Sequence, residues 1–372
     1  MSKDKNKPEW VPKDGGKEFT SNVMQGITPE EEEDIRKKFR RKFSGRSKMS
    51  AGEMKEGILK GDLVALSRAI TLVESNTDKH IEKAQQLLKD LLPNTGNSVR
   101  IGITGSPGAG KSTFIESFGT YLCENGLKTA VLAVDPSSSL SRGSVLGDKT
   151  RMERLSKHKN SFIRPSPSGG TLGGVTRKTR ETILLCEAAG YEVILIETIG
   201  VGQSEITVRS MVDFFMLMLI PGAGDELQGI KKGVVEIADA LIVNKAEGDN
   251  KQKANVTKRS YENALQLLMP ATEGWTTKVR TCSALHEKGI DDIWTLINDF
   301  IINVKNSGIF EKRRKEQTIK WMYTMLEETI LNKFYSHPDI KDKIKQFENE
   351  VIDERSTPTQ AVNRLTELIE IK

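Results

Sequence analysis

Residues 99–123 read VRIGITGSPGAGKSTFIESFGTYLC, and inside them Gly105-Ser106-Pro107-Gly108-Ala109-Gly110-Lys111-Ser112-Thr113 is a full GxxxxGK[ST] phosphate-binding loop. The run Val99 to Thr104 before it predicts a buried strand, and Ser112 to Cys123 after it predicts a helix. That strand–loop–helix context makes the motif a physical site. Its glycines let the backbone curl with N–H groups turned inward around phosphate oxygens. The helix N-terminus adds partial positive charge. In such a loop Lys111 reaches the β- and γ-phosphates and the Ser112 hydroxyl ligates Mg²⁺.

Outward from this stretch, short β-rich runs alternate with helical patterns from 99 to about 305. The strand candidates are 99–104, 129–134, 161–164, 192–197, 214–220, 239–243 and 278–282. This predicts an α/β fold with a mainly parallel sheet covered by helices, and ligands at the carboxyl ends of its strands. Four regions are expected. Residues 1–50 form a charged segment with 13 Lys/Arg and 9 Asp/Glu, read as a solvated helix or tail. Residues 51–97 form a helical region, 98–306 the nucleotide-binding domain and 307–372 a helical arm. The arm carries an apolar stripe at Ile319, Met322, Tyr323, Leu326, Ile330 and Phe334.

Composition narrows the class. The chain has 372 residues, 37% hydrophobic and 29% charged, and a net charge of +5, too modest to argue for nucleic-acid binding. No apolar run approaches the roughly 18–20 residues of a membrane span. The polar N-terminus does not read as a secretory signal. Cys123, Cys186 and Cys282 are isolated in apolar contexts, which reads as a reducing, cytoplasmic setting.

Further candidate site residues follow strands. Asp135 closes the run 129–134, and Asp148 follows thirteen residues later; both offer hard oxygens suited to Mg²⁺, and both also suit ordinary turns. Glu197 ends the run Val193-Ile194-Leu195-Ile196, and Gly200 follows it by three, a switch-like spacing in which the Gly200 amide meets the γ-phosphate. Gln203 is a candidate water-orienting residue. Asn244-Lys245-Ala246-Glu247 resembles the guanine-reading N-K-x-D motif, with Glu247 where Asp is usual, and Ser283-Ala284-Leu285 matches the loop that supports guanine O6 through backbone N–H. Residues 221–232 are a glycine-rich loop and a candidate third switch.

In order and spacing these motifs resemble the MeaB/ArgK/MMAA-type P-loop GTPases, over about residues 53–335. That resemblance implies the signal-recognition/MinD-type branch of the fold and Mg²⁺-dependent GTP hydrolysis to GDP. The catalytic set would be Lys111, Asp148 and Glu197, and the Mg²⁺ set Ser112, Asp135, Asp148 and Glu197. Guanine would lie among Asn244, Lys245, Glu247 and Ser283 to Leu285, and Lys231 in the loop 221–232 would relay partner contact. The implied role is a GTPase chaperone of adenosylcobalamin-dependent acyl-CoA mutases such as methylmalonyl-CoA mutase, working as a homodimer joined through the C-terminal helices. The competing readings are a P-loop small-molecule kinase and a GTPase chaperone of another metallocofactor enzyme.

Overall fold

The computed structural model describes residues 49–134, 152–165, 172–198, 204–222 and 232–368. The periodic stretch before the phosphate loop resolves into three helices, α1 (Ala51–Leu59), α2 (Leu63–Glu74) and α3 (Asp78–Leu91). Asp62 ends the connection between the first two by accepting from Val64 N at 2.7 Å, an N-cap that satisfies one orphan donor of α2. These helices bury Leu66, Ile70, Val73, Leu87 and Leu91. Gln85 of α3 donates to Glu181 at 2.7 Å.

Among the described residues seven strands follow: β1 (Val99–Gly105), β2 (Thr129–Val134), β3 (Ser161–Arg164), β4 (Val193–Thr198), β5 (Phe214–Leu219), β6 (Ala240–Val243) and β7 (Lys278–Thr281). They form one parallel sheet in the order β3-β2-β4-β1-β5-β6-β7. The intervening helices are α4 (Lys111–Glu124), α5 (Glu153–Lys157), α6 (Leu172–Ala188), α7 (Ser204–Arg209), α8 (Lys232–Glu236) and α9 (Asn250–Leu265). All six residues of β5 (FFMLML) are buried, as a continuous apolar run requires at the centre of a parallel sheet. Phe114 and Phe118 of α4 stack at 5.3 Å between ring centroids, and Phe300 of α10 (Ile290–Asn306) meets Phe214 edge-on at 5.0 Å. Each such ring, fully buried, contributes about 1.5–3 kcal/mol.

The amino edge of the sheet is fastened by buried carboxylates. Glu187, at the end of α6, accepts from Ser98 Oγ (2.6 Å), Gly96 N (2.8 Å) and the Arg100 guanidinium (2.9 and 3.0 Å). Asp213, just before β5, accepts from Arg100 N (2.8 Å) and from Arg314 (2.8 and 2.6 Å). Asp239, just before β6, accepts from Arg209 (2.8 and 3.1 Å) and Phe215 N (2.9 Å). Arg314 belongs to α11 (Ile309–Ser336), whose first turns are thereby pinned to the sheet. The helix then runs on for 28 residues in all, about 42 Å at 1.5 Å per residue. Its stripe of Ile319, Met322, Tyr323, Leu326 and Ile330 stands about half exposed. Helices α12 (Pro338–Ile352) and α13 (Pro358–Glu367) complete the described chain.

Burial would raise the Glu187 pKa, but the Arg100 charge and the hydrogen bonds from Arg100, Ser98 and Gly96 outweigh it and hold the carboxyl below its usual range. Glu187 therefore stabilises the fold above the ordinary carboxylate pKa, and that contribution is lost as pH falls through the folded-state value. Urea unfolding of Glu187→Gln should show a clear deficit at pH 7 that shrinks at pH 3; a constant deficit would contradict this account. Asp213→Ala strands Arg314 in the core and should cost about 3–5 kcal/mol in the same assay.

Candidate functional site

The motif residues gather where β1, β4, β5 and β6 end. Gly105 closes β1 at φ +153, and a Cβ there would lie 2.5 Å from Met218 O of β5, so a side chain would push the two strands apart. Gly110 stands at φ +83, where a Cβ would lie 2.6 Å from Asn244 Nδ2. The loop thus keeps its curl because two of its glycines leave room for β5 and for the Asn244 amide.

Lys111 is the first residue of α4 and 9% exposed. Its Nζ donates to Gly105 O at 2.8 Å and to Ser106 O at 3.2 Å, folding the ammonium over its own loop. Burial pushes its pKa down, and the charges of Glu197 and Glu205 pull partly the other way. A cation so placed lacks full counter-charge, which an anionic ligand such as phosphate would supply.

Ser112 Oγ donates to Glu197 Oε1 at 3.2 Å. The β1–β4 register pairs Ile103 with Glu197, which carries this carboxylate to the mouth of the loop. Thr198 and Thr104 share a 2.7 Å hydroxyl bond behind it. A hydroxyl and a carboxylate converging there are the oxygen donors Mg²⁺ takes. Asp135, Asp148, Gly200, Gln203 and Lys231 lie outside the described residues. Of the loop 221–232, Gly222 N donates to Thr257 Oγ1 at 3.0 Å.

The base-reading candidates come together in the loops that follow β6 and β7. Asn244 is 2% exposed, and both ends of its amide are used: Nδ2 donates to Ala109 O (2.9 Å), while Oδ1 accepts from Ala284 N (3.0 Å) and the Cys282 thiol (3.4 Å). Lys245 adopts φ +58 and its stem lies over the phosphate loop beside Gly110. Glu247 Oε2 is buried without a hydrogen-bond partner among the described residues. Ser283 pairs with Lys288 through two backbone bonds (3.0 and 3.1 Å), and Leu285 stands exposed. Of the backbone N–H groups of the loop expected to support guanine O6, that of Ala284 is engaged by Asn244.

Residues with no motif of their own complete the site. Ser117 Oγ, on α4, donates to Ala284 O at 2.7 Å. Cys282, read from sequence as a core cysteine, is buried and also touches Asn244; burial, then the Glu247 charge, push its thiol pKa up to about 12. Glu205 is buried on α7.

Comparison with known proteins matches residues 66–339 to a family described as "Methylmalonyl Co-A mutase-associated GTPase MeaB". The Escherichia coli protein "GTPase ArgK" is 46% identical, with 83% of this chain and 94% of that protein aligned. The mouse "Methylmalonic aciduria type A homolog, mitochondrial" is 46% identical over 83% of this chain and 77% of its own length. A solved structure of a protein named "LAO/AO transport system kinase" superposes with a TM-score of 0.70 at 39% identity, covering 86% of this chain and 97% of that one.

Lys111→Ala should reduce affinity for guanine nucleotides by about a hundredfold, chiefly through the counter-charge lost to the phosphates. Because burial lowers the Lys111 pKa, its charge costs the nucleotide-free fold something at neutral pH. The nucleotide-free variant should therefore melt no lower than the parent. Calorimetric titration with GDP and thermal unfolding without it check the two halves.

Proposed function

The chain belongs to the MeaB family of GTPases, and from that premise we propose that it is a GTP-gated chaperone controlling adenosylcobalamin loading and protection of methylmalonyl-CoA mutase or a related acyl-CoA mutase. The family description and the names of its relatives support the mutase as client. The observation that carries the guanine reading is the buried, unpartnered Glu247 Oε2. A carboxylate there accepts from guanine N1–H and the exocyclic amine, a pair adenine cannot offer.

In the proposed reaction Lys111 Nζ leaves the carbonyls of Gly105 and Ser106 for the β- and γ-phosphates. Ser112 and Glu197 would hold Mg²⁺, with Asp135 and Asp148 as further members of its environment. Bound there, Mg²⁺ supplies neutralisation of the charge that develops on the phosphate oxygens. Lys111 and Glu197 would serve catalysis, the Gly200 amide would sense the γ-phosphate, and the loop 221–232 with Lys231 would relay contact with the mutase. Arg177, in α6, is assigned no finger role, nor are Arg142 and Arg151. Hydrolysis is therefore slow until a partner completes the site, a deficit of about 10³–10⁵ in rate.

The proposal extends to assembly. Residues 51–97 brace the nucleotide domain 98–306, and the arm 307–372 joins two copies through the α11 stripe in the cytoplasm. About half-exposed Met322, Tyr323 and Leu326 in one row support an apolar partner face. Leu326→Glu should convert a dimer into a monomer in light scattering; a monomeric parent would sink the dimer.

Transfer of the γ-phosphate decides between hydrolase and kinase, the second reading favoured by the name that the solved relative carries. GTP labelled at the γ-phosphate should yield free phosphate alone; label on a small-molecule acceptor would establish the kinase. GTP should bind about a hundredfold more tightly than ATP, and Glu247→Ala should erase the preference. Nucleotide-dependent co-elution with the acyl-CoA mutase of the same organism tests the chaperone role, and no binding in any nucleotide state would overturn it.

A further inference from the structure

Ser117 lies on α4 two turns beyond Lys111 and is 7% exposed. Many hydroxyls on these helices bond only to the carbonyl one turn back, as Thr179 does to Val175 O and Thr182 to Lys178 O. Ser117 has that bond too, at 3.1 Å to Thr113 O, but its shorter contact, 2.7 Å, goes to Ala284 O in the loop after β7. With one proton to give, the hydroxyl is committed chiefly to a residue 167 positions away.

Ala284 is thus gripped on both sides of its backbone. Its N–H is held by Asn244 Oδ1 at 3.0 Å and its carbonyl by Ser117 Oγ at 2.7 Å, with a longer 3.4 Å bond from Glu287 N. Asn244 Nδ2 returns to Ala109 O in the phosphate loop at 2.9 Å. The contacts close a ring: phosphate loop, α4, Ser117, Ala284, Asn244, and back to the phosphate loop. Asn244 belongs to the recognised base-reading motif, whereas Ser117 belongs to none.

We propose that Ser117 is a positioning residue for guanine binding: it sets the loop 283–285 from the helix that carries the phosphates, and so fixes the distance between the base site and the phosphate site. This rests on the base-site reading above. Ser117 need not touch nucleotide. Losing its hydroxyl leaves Lys111, Ser112 and Glu197 in place, leaves the Ala284 carbonyl with its long bond from Glu287 N and loosens the loop.

The test uses the full chain with Ser117→Ala and Ser117→Thr, and two probes, GDP and inorganic tripolyphosphate, which occupies the phosphate site without a base. Ser117→Ala should weaken GDP about three- to tenfold, the size of one buried hydrogen bond, speed GDP release correspondingly, and leave tripolyphosphate within about twofold. Ser117→Thr, which keeps the hydroxyl, should restore GDP binding. Equal weakening of both probes would make Ser117 merely structural and overturn the proposal, as would unchanged GDP affinity in Ser117→Ala. Retained tripolyphosphate binding reports that the variant is folded. Should Ser117→Ala fail to fold, Ser117→Cys, which keeps the volume but donates only weakly, takes its place with the same supporting and overturning outcomes. If the parent chain does not prefer GDP over ADP, the base-site reading itself fails; if it does and Ser117→Ala is unaffected, only the role of Ser117 fails.

Discussion

One carboxamide, that of Asn244, holds the nucleotide face together. It must donate to the phosphate loop at Ala109 O and accept from the loop after β7 at Ala284 N, so neither a carboxylate nor an apolar group can replace it. Its position fixes others. Gly110 has no Cβ because Nδ2 stands 2.6 Å from where one would be. The Ala284 N–H, which can only donate, and the Ala109 carbonyl, which can only accept, keep the amide from turning over, and the Cys282 thiol lies beside Oδ1. An unsatisfied amide at 2% exposure would cost about 1–3 kcal/mol, so the three loops are held in register by the need to satisfy it.

The two edges of the parallel sheet do different work. At the amino edge Glu187, Asp213 and Asp239 are buried carboxylates, each met by an arginine with paired bonds, and they tie α6, α7 and α11 to the strands. At the carboxyl edge the polar groups are partly unfinished: Lys111 leans on its own carbonyls and Glu247 keeps a buried oxygen without a partner. Satisfied polar groups rigidify, and an unsatisfied one beside the phosphate loop is open to a ligand. The division follows from parallel topology, since every strand delivers its following loop to the same edge.

Most strands were legible in sequence because they are short apolar runs bounded by polar or glycine-rich turns; β1, β2, β3, β5 and β7 begin at the residue expected, and β4 and β6 one residue later. Glu197 and Asn244 were legible for the same reason: each ends such a run. The amino-edge clamps were not, since Asp213 and Arg314 are 101 residues apart and nothing local pairs them. Ser117 was equally hidden, because a serine on a helix reads as a routine back-bond to the preceding turn. The N–H of Ala284 illustrates a different gap. Sequence identified the loop, but only the packed structure reveals that Asn244 occupies this donor.

The state of Lys111 and Glu247 bears on how binding energy is used. Lys111 already has two acceptors, so a move to phosphate would exchange hydrogen bonds and gain mainly counter-charge. Glu247 Oε2 has no partner to exchange among the described residues, and a bond from a base to that oxygen would be a net gain of about 1–3 kcal/mol. Base recognition can then anchor the nucleotide while the phosphate end stays free to respond to hydrolysis. A switch needs that asymmetry: if the γ-phosphate supplied most of the affinity, product would leave as soon as it formed, and the GDP state would be too short-lived for a partner to read.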